Sequence, residues 1–395
     1  MKISRALVIG GGIAGPVTAL ALHKAGIEAA VYEAYETTAE GVGGFLGFAP
    51  NGLSALAVVG ADAAVTAVSE ATPVMIMENH SGRQIARVDA SSPGVPDNHL
   101  VDRAALYRVL MEAVRERGIE VHTGKRLVDA DETDGRVTAR FSDGSSATGD
   151  VLVGCDGIRS TVRELIDPNA PTPRYTGLLG FGAPVEGQRG EPNAMHFAFG
   201  RRAFFGYQYF ADGSAGWFAN LPRKEYLTAR EMRQTPAAAW LAEIAQRYEG
   251  DRMIAAEMLA RTKPADLFVS GPLEDVPTVP RWYSERMVLV GDSAHATSPS
   301  SGQGASLACE SAVELARCLR DRPSLVDAFT TYEAKRRERV EYIIARAANV
   351  NQQKAAGPVA RVFRDLAMPM ALKLVNPRKM FAKQYGYRID WEATA

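Results

Sequence analysis

Short apolar runs followed by helical patterns mark several parts of this chain. ALVI (residues 6–9), DVLVGCDG (150–157) and RMVLV (286–290) are short enough to be buried strands. Each leads through a turn into a segment with helical periodicity, the first of which covers residues 13–25 and the last of which begins near residue 305. Repeated strand-to-helix units predict an α/β fold with a parallel, Rossmann-like sheet.

A different pattern occupies the middle of the chain. The segments 194–200, 202–213 and 215–223 alternate with period two and are rich in aromatic residues. An earlier segment, 73–88, has the pattern of a hairpin around Ser81-Gly82. These segments predict an antiparallel sheet, separate from the α/β part.

Alternation on the strand near residue 207 predicts two chemically different faces. One face carries Phe205, Tyr207 and Tyr209, and the other carries Phe204, Gln208 and Phe210. The sequence leaves open which face lines a pocket and which packs against helices. The candidate substrate contacts are His196, Tyr207 and Tyr209, with core packing as the ordinary alternative.

The remaining periodic segments are helical. Residues 100–118 predict an amphipathic helix with Leu106, Leu110 and Val114 on one face. Two helices are predicted beyond Ser324, the second over residues 357–375. Its apolar positions are Val359, Phe363, Leu366 and Met370, with a kink at Pro369.

A length of 395 residues favours more than one domain. We predict a discontinuous cofactor-binding domain over residues 1–72, 99–170 and 275–325. A substrate domain would cover 73–98 and 171–274, and a C-terminal helical region 326–395.

Composition narrows the class of protein. The net charge is −1 and no basic run occurs, so nucleic-acid binding is not expected. Cys155, Cys309 and Cys318 have no metal-ligand spacing and favour a reducing, cytoplasmic compartment. The uncharged segment 6–22 resembles a secretory signal, but its four glycines and one proline favour a strand, a turn and a helix. We expect no metal site and no stable membrane association.

The first turn carries a dinucleotide-binding fingerprint. Gly10 allows the tight turn, Gly12 lets the backbone approach a pyrophosphate, and Gly15 lets the helix pack on the strand. Ile13 and Ala14 open the helix, whose N-terminus favours phosphate. Glu33 ends the second strand, where an acid accepts hydrogen bonds from a ribose. These residues alone leave NAD, NADP and FAD open.

Three further segments accompany the fingerprint. VDRAAL surrounds Arg103, GCDGIRSTVR contains Asp156, and GDSAHATSPSSGQGAS covers residues 291–306. Considered separately, Arg103 would form an ordinary salt bridge on a helix surface, and Asp156 would cap a helix. Together, in this order, the four motifs resemble the class A flavoprotein aromatic monooxygenases, above all the small salicylate-hydroxylase-like and tetracycline-modifying type. The similarity spans nearly the whole chain.

The resemblance implies that FAD spans both glycine-rich loops. Asp292 would bond the ribityl or pyrophosphate region, Pro299 would lie against the isoalloxazine ring, and backbone N–H groups of residues 302–304 would face its N1/O2 edge. His295 would belong to the loop scaffold rather than act as a base. The implied cofactor-binding residues are Gly10, Gly12, Ile13, Ala14, Gly15, Glu33, Arg103, Asp156, Gly291, Asp292, Pro299, Gly302, Gln303 and Gly304. The chain departs from relatives at Glu310-Ser311, where they often have Glu-Asp, and at Ser306, where some have Asn.

The implied activity is monooxygenation. NADH or NADPH, as a transient hydride donor, would reduce FAD, and O2 would form a flavin hydroperoxide that passes one oxygen atom to an aromatic or polyketide-like substrate. The alternative is an FAD-dependent reductase or dehydrogenase that does not activate oxygen. A flavin halogenase is disfavoured because its W-x-W-x-I-P signature is missing, and a non-catalytic regulator would leave the late loop unexplained. The sequence does not distinguish a monomer from a homodimer.

Overall fold

The computed structural model describes residues 3–36, 44–89, 91, 95–354 and 382–395. The strands are β1 (Arg5–Ile9), β2 (Glu28–Tyr32), β3 (Phe45–Phe48), β4 (Ser69–Ala71), β5 (Val74–Asn79), β6 (Gln84–Asp89), β7 (His99–Asp102), β8 (Glu120–His122), β9 (Leu127–Thr133), β10 (Arg136–Phe141), β11 (Ser146–Gly149), β12 (Val151–Gly154), β13 (Arg174–Val185), β14 (Ala194–Phe199), β15 (Phe204–Tyr209), β16 (Ala215–Pro222), β17 (Phe268–Asp275) and β18 (Met287–Leu289). The helices are α1 (Ala14–Lys24), α2 (Pro50–Val58), α3 (Asp62–Thr66), α4 (Arg103–Glu116), α5 (Thr161–Ile166), α6 (Ala229–Gln234), α7 (Ala237–Arg247), α8 (Ala255–Arg261), α9 (Asp292–His295), α10 (Gly304–Asp321) and α11 (Leu325–Lys354). One-turn 3-10 helices cover Pro264–Asp266 and Pro299–Ser301.

A parallel sheet with strand order β18-β12-β1-β2-β8 lies at the centre of the first core. The predicted Rossmann-like α/β fold is therefore confirmed. Strands β1, β12 and β18 are almost fully buried, which explains why their sequences are continuous apolar runs rather than alternating ones. Because the strands are parallel, the loops that follow β1, β12 and β18 all leave the same edge of the sheet.

Helix α10 packs against α1, α2 and α11 and is buried continuously from Ser306 to Leu319. Small side chains dominate its sequence, and they let neighbouring helices approach closely. The first turn of this central helix is thereby held in a fixed position relative to α1.

A seven-stranded sheet, ordered β17-β13-β16-β15-β14-β5-β6, forms the other large layer. The predicted meander is confirmed as β14, β15 and β16, and the predicted hairpin as β5 and β6. The pairing is antiparallel except between β14 and β5. Helices α6, α7 and α8 cover one face and share a second apolar core with it.

Helix α4 begins later than the sequence pattern predicts. Residues 100–102 are not helical, because they form strand β7 between β3 and β4, and α4 begins only at Arg103. The Asp102 carboxylate accepts a hydrogen bond from the Ala105 N–H at 2.8 Å and so caps α4. The predicted helix with Val359, Phe363, Leu366, Pro369 and Met370 lies outside the described residues. Within the described ranges, no helix combines the length and apolarity needed to span a membrane.

Candidate functional site

The three fingerprint glycines of the first loop have different surroundings. Gly10 has φ +99°, and a Cβ there would lie 2.5 Å from the Cys155 carbonyl oxygen. A Cβ on Gly15 would lie 1.9 Å from the Gly10 carbonyl oxygen, so the close packing of α1 requires glycine. A Cβ on Gly12 would meet no atom within 4 Å. The backbone at Gly12 therefore faces open space, next to Ile13 and Ala14 at the start of α1.

Glu33 lies at the end of β2, against this loop. Its carboxylate accepts hydrogen bonds from the Gly11 N–H at 2.6 Å and the Tyr35 N–H at 3.0 Å. The remaining lone pairs of a half-buried carboxylate can accept hydrogen bonds from ribose hydroxyls. The position suits the predicted ribose contact.

The late loop meets the first loop directly. Gly291 follows β18 with φ +72°, and a Cβ there would lie 3.0 Å from the Ala14 Cβ and 3.1 Å from the Ala308 Cβ. The two glycine-rich segments, which are far apart in sequence, are therefore adjacent, and we call the space along both of them the cleft. The cleft also adjoins Gly47, where a Cβ would lie 3.8 Å from the Gly302 carbonyl oxygen.

Asp292 and Arg103 carry opposite charges in this region. Both residues are exposed to solvent. Desolvation by the surrounding protein raises the pKa of Asp292, and the nearby Arg103 charge opposes that rise. The described part of the chain contains no ion-pair partner for Arg103, so the surface salt bridge considered as its alternative is not seen. The pair offers one hydrogen-bond acceptor and one cation to a ligand.

Asp156 serves its own helix in this structure. Its carboxylate accepts hydrogen bonds from the Ser160 hydroxyl at 2.5 Å and the Val162 N–H at 3.1 Å. Burial raises the pKa of Asp156, and these hydrogen bonds oppose the rise. Its α-carbon lies beside Gly10, because a Cβ added to Gly10 would be only 2.9 Å from it. The cap role is observed, and the implied cofactor-binding role of Asp156 stays a prediction.

The segment from Pro299 to Gly304 shapes the other end of the cleft. Pro299 and Gly302 are exposed, and Gly302 has φ +60°. The Gly302 N–H donates to the Pro299 carbonyl oxygen at 3.0 Å. The Gln303 N–H donates to the Ser301 hydroxyl at 3.0 Å. The N–H groups of Gly302 and Gln303 would therefore have to leave these partners to bind a flavin. Gly304 is the first residue of the 18-residue helix α10, at its positive dipole end.

A buried polar network, which the sequence did not reveal, holds this segment. Asn51 Nδ2 donates to Gln303 Oε1 at 3.0 Å and to Glu310 Oε1 at 2.6 Å. Glu310 pairs with Arg336 at 2.6 Å and with Arg339 at 2.7 Å. Burial alone would raise the pKa of Glu310, but the two arginines outweigh it and lower that pKa. Glu310, at the position where the chain departs from its relatives, therefore joins α2, α10, α11 and the late loop to one another.

Ser306 and His295 also support the loop. The Ser306 hydroxyl accepts a hydrogen bond from the Ala49 N–H at 2.9 Å. His295 Nε2 lies 2.9 Å from the Ser311 hydroxyl. Burial, assisted by the Arg336 charge, lowers the pKa of His295 to about 3. A buried imidazole that stays neutral near pH 7 suits the predicted scaffold role.

The predicted substrate contacts lie on the helix-covered face of the large sheet. His196 stacks on Tyr207 with ring centroids 4.3 Å apart, and Tyr209 meets both rings edge-on. The Tyr207 hydroxyl and His196 Nδ1 both bond the Glu78 carboxylate, at 3.0 and 2.9 Å. Tyr207 belongs to the core shared with α6, α7 and α8. This placement disfavours substrate contact for the three residues and favours the core packing held as the alternative.

The opposite face of the sheet is turned toward the late loop. It carries Phe204, Phe218, Gln208 and Asn220. Lys354, at the end of α11, donates to the Asn220 Oδ1 atom at 2.7 Å and to the Ser300 hydroxyl at 2.9 Å, linking this face to the late loop. Sequence periodicity gave no signal for Lys354, because a lone lysine at the end of a charged helix is usually solvated.

The cleft fits an extended dinucleotide such as FAD. The open backbone at Gly12 leaves room for a pyrophosphate, and the Glu33 carboxylate stands at the ribose position. Arg103, Asp292 and the start of α10 supply a cation, an acceptor and a positive helix end further along.

The sequence of this chain is similar to a known protein family and to individual enzymes. The sequence model of a family described as "FAD binding domain" matches residues 4–347. Aurachin C monooxygenase/isomerase from Stigmatella aurantiaca is 29% identical over 353 residues, which is 88% of each chain. The 3-amino-4-hydroxybenzoate 2-monooxygenase of Streptomyces platensis is 30% identical over 397 residues, covering 97% of this chain and 96% of the relative.

Solved structures show the same fold. The crystal structure of Klebsiella pneumoniae HpxO with FAD and uric acid has a TM-score of 0.82 at 23% identity, covering 97% of this chain and 96% of that one. The tetracycline destructase Tet(55) has a TM-score of 0.73 at 17% identity, with 98% of both chains covered.

Proposed function

Because the chain belongs to the FAD binding domain family, within the class A flavoprotein monooxygenases, we propose that it is an FAD-dependent, NAD(P)H-consuming monooxygenase that inserts one atom of O2 into an aromatic or polyketide-like small molecule. The observation that carries this proposal is the contact between the two glycine-rich loops at Gly291 and Ala14. That contact places the groups assigned to the two halves of the cofactor next to each other.

We assign the two ends of FAD to the two loops. The first loop, with Gly12 open and Glu33 beside it, would hold the pyrophosphate and the adenosine ribose. Asp292 and Arg103 would bond the middle of the cofactor, and the segment 299–304 would face the isoalloxazine ring. When bound, FAD supplies the redox and oxygen chemistry.

The protein's own contribution is orientation and electrostatics. The N-terminus of α10 would place a positive dipole end near the edge of the ring that becomes negative on reduction. The Asn51, Glu310 and arginine network keeps that helix end rigid. The large sheet would cover the reaction zone with its Phe204 and Phe218 face and exclude water.

The division of labour follows the two cores. We propose that residues 1–72, 99–170 and 275–325 bind the cofactor and that 73–98 and 171–274 form the substrate domain. The parallel sheet draws on the first set and the seven-stranded sheet on the second, which supports this division. We also propose a cytoplasmic location, since Cys155, Cys309 and Cys318 are all unpaired and buried.

The names of relatives suggest a substrate class. While some of them are named for aurachin C and zeaxanthin, three are named for 3-hydroxybenzoate, 3-amino-4-hydroxybenzoate and urate, all planar rings with polar substituents. We propose a substrate of the same kind for this chain. The relatives include several monooxygenases and hydroxylases, which favours oxygen activation over the alternative of a reductase.

Rapid mixing tests the proposal. The FAD-loaded protein would be reduced anaerobically with NADH or NADPH and then mixed with 18O-labelled O2, with and without hydroxybenzoates. We expect a transient flavin spectrum between the reduced and oxidised forms, and one labelled oxygen atom in the product. Slow reoxidation without a transient species, and no label with any ligand, would instead identify a reductase.

A further inference from the structure

Lys354 has an unusual environment for a lysine. Its ammonium group lies 4.2 Å from the centroid of the Phe204 ring and 5.9 Å from that of Phe218. It donates to Asn220 Oδ1 at 2.7 Å and to Ser300 Oγ at 2.9 Å. An ammonium group has three donors, so these two partners leave one N–H for another acceptor.

Among the residues that the structure describes, no acid balances the charge of Lys354. The described groups packed against the ammonium are two aromatic rings, one amide and one hydroxyl, and none of the described carboxylates forms an ion pair with it. Desolvation consequently lowers the pKa of Lys354 to about 7. A half-buried cation packed against apolar rings is costly unless it is paired, and a bound anion would supply a partner.

Gln208 lies further along the same face of the same strand. It is only 1% exposed, and neither its Oε1 nor its Nε2 atom has a hydrogen-bond partner among the described residues. Four residues separate it from Phe204, or about 13 Å along a strand. Gly206 lies between them, and a Cβ there would be 2.1 Å from the Phe218 ring, so that ring covers the intervening backbone. An aromatic floor thus separates a cation at one end from an unsatisfied amide at the other.

We propose that Lys354 is the recognition group for a carboxylate or phenolate of the aromatic substrate, with Phe218 beneath the ring and the Gln208 amide bonding its far end. The inference rests on the proposed function, because Ser300 follows Pro299, the residue assigned to the isoalloxazine ring. It adds that the substrate is an aromatic acid held between the late loop and the sheet. The extra charge-assisted hydrogen bond favours an acid over its neutral amide by about 10- to 100-fold in Kd.

Matched ligand pairs test this inference. The probes are 3-hydroxybenzoate and 3-amino-4-hydroxybenzoate, each compared with its own carboxamide. Binding to the oxidised, FAD-loaded protein is followed by the change in flavin absorbance, without NAD(P)H. We expect the wild type to prefer the acids by about 10- to 100-fold. The Lys354→Met variant should bind acid and amide within about threefold of each other, while Lys354→Arg should keep most of the preference.

Two controls make the result specific. Lys263→Met removes a lysine that lies 3.9 Å from Glu186 and whose side chain is 67% exposed, and it should keep the wild-type preference. Gln208→Leu should weaken both members of each pair equally. The inference is overturned if the wild type binds no acid, if it binds acid and amide equally, or if Lys354→Met keeps the preference at normal FAD content. Because no turnover is needed, a failure of oxygen insertion would be seen separately.

Discussion

At the scale of single residues, the glycines of the first loop meet two different requirements, one of folding and one of ligand binding. Gly15 is needed for folding, because a Cβ would collide with the Gly10 carbonyl oxygen at 1.9 Å. Gly12 has free space around it and no left-handed backbone angle. Only a bound ligand gives a reason for glycine at Gly12.

We therefore predict opposite outcomes for two alanine variants. Gly12→Ala should leave the free energy of unfolding of the apoprotein within about 0.5 kcal/mol of wild type and raise the Kd for FAD about tenfold or more. Gly15→Ala should cost the apoprotein about 1 to 3 kcal/mol through overpacking. Urea unfolding and FAD titration measure both quantities. Equal FAD affinity in Gly12→Ala and wild type would contradict the assignment of the pyrophosphate to this loop.

Arginines of helix α4 provide a second comparison. Arg103, at its first position, is assigned to FAD, whereas Arg108 pairs with Glu112 at 3.7 Å on the exposed surface. We expect Arg103→Met to raise the Kd for FAD by about 10- to 100-fold, the effect of one charge-assisted hydrogen bond. Arg108→Met should leave it unchanged, since exposed ion pairs contribute little. FAD titration of both variants decides, and equal effects would contradict the assignment of Arg103.

The residues that sequence reasoning could identify are those that act through backbone geometry. Gly10, Gly12 and Gly15 are recognisable because glycine spacing reflects the turn itself. The roles of Tyr207 and Lys354 were not predictable, because they depend on which face of a strand meets which layer. Alternation identifies two faces but carries no information about what covers each.

At the scale of elements, α9, α10 and α11 are joined by buried polar groups. His295 of α9 contacts Ser311 of α10, and Arg336 of α11 pairs with Glu310 of α10. Burial and the Arg336 charge lower the pKa of His295 to about 3, below its ordinary 6.5. The folded protein therefore keeps His295 neutral at pH values where the unfolded chain binds a proton.

This difference predicts a pH dependence of stability. The contribution of neutral His295 is complete above pH 6.5 and is lost progressively as the pH falls toward 3, by about 1.4 kcal/mol per pH unit. Between pH 7.5 and 5, wild type should lose about 2 kcal/mol more than His295→Gln, as measured by urea unfolding. A matched His122→Gln variant, whose side chain is 40% exposed, should behave like wild type. The prediction fails if His295→Gln and wild type lose the same stability.

Element boundaries show where sequence patterns reach their limit. The apolar residues Leu100 and Val101 fit the periodicity of α4, yet they form strand β7. The pairing of β7 with β3 and β4 decides this, and those partners lie 28 or more residues away in sequence. Asp102 was the available local signal, because aspartate is a preferred N-cap residue.

At the scale of the whole molecule, the α/β part was predictable because each strand-to-helix unit is local. The candidate site was not predictable in this way, because its residues come from distant parts of the chain. Gly291 touches Ala14, Asn51 bonds Glu310, and Lys354 bonds Asn220. Contacts of such long range leave no periodic trace in one sequence, so the polar network and the lysine emerged only from the structure.

The position of β18 in the parallel sheet has a consequence for how the protein is made. Ribosomes add about 5 to 20 residues per second, so the late loop emerges roughly 15 to 60 s after the fingerprint. During that interval the nascent chain has half a cofactor site, and β12 has an unpaired edge where Met287–Leu289 will later lie. We expect ribosome-bound chains arrested before Met287 to retain no FAD, and chains arrested well beyond Gly304 to retain it. Cofactor capture would then report that synthesis of the sheet is complete, and retention of FAD by the shorter chains would show that the first loop suffices.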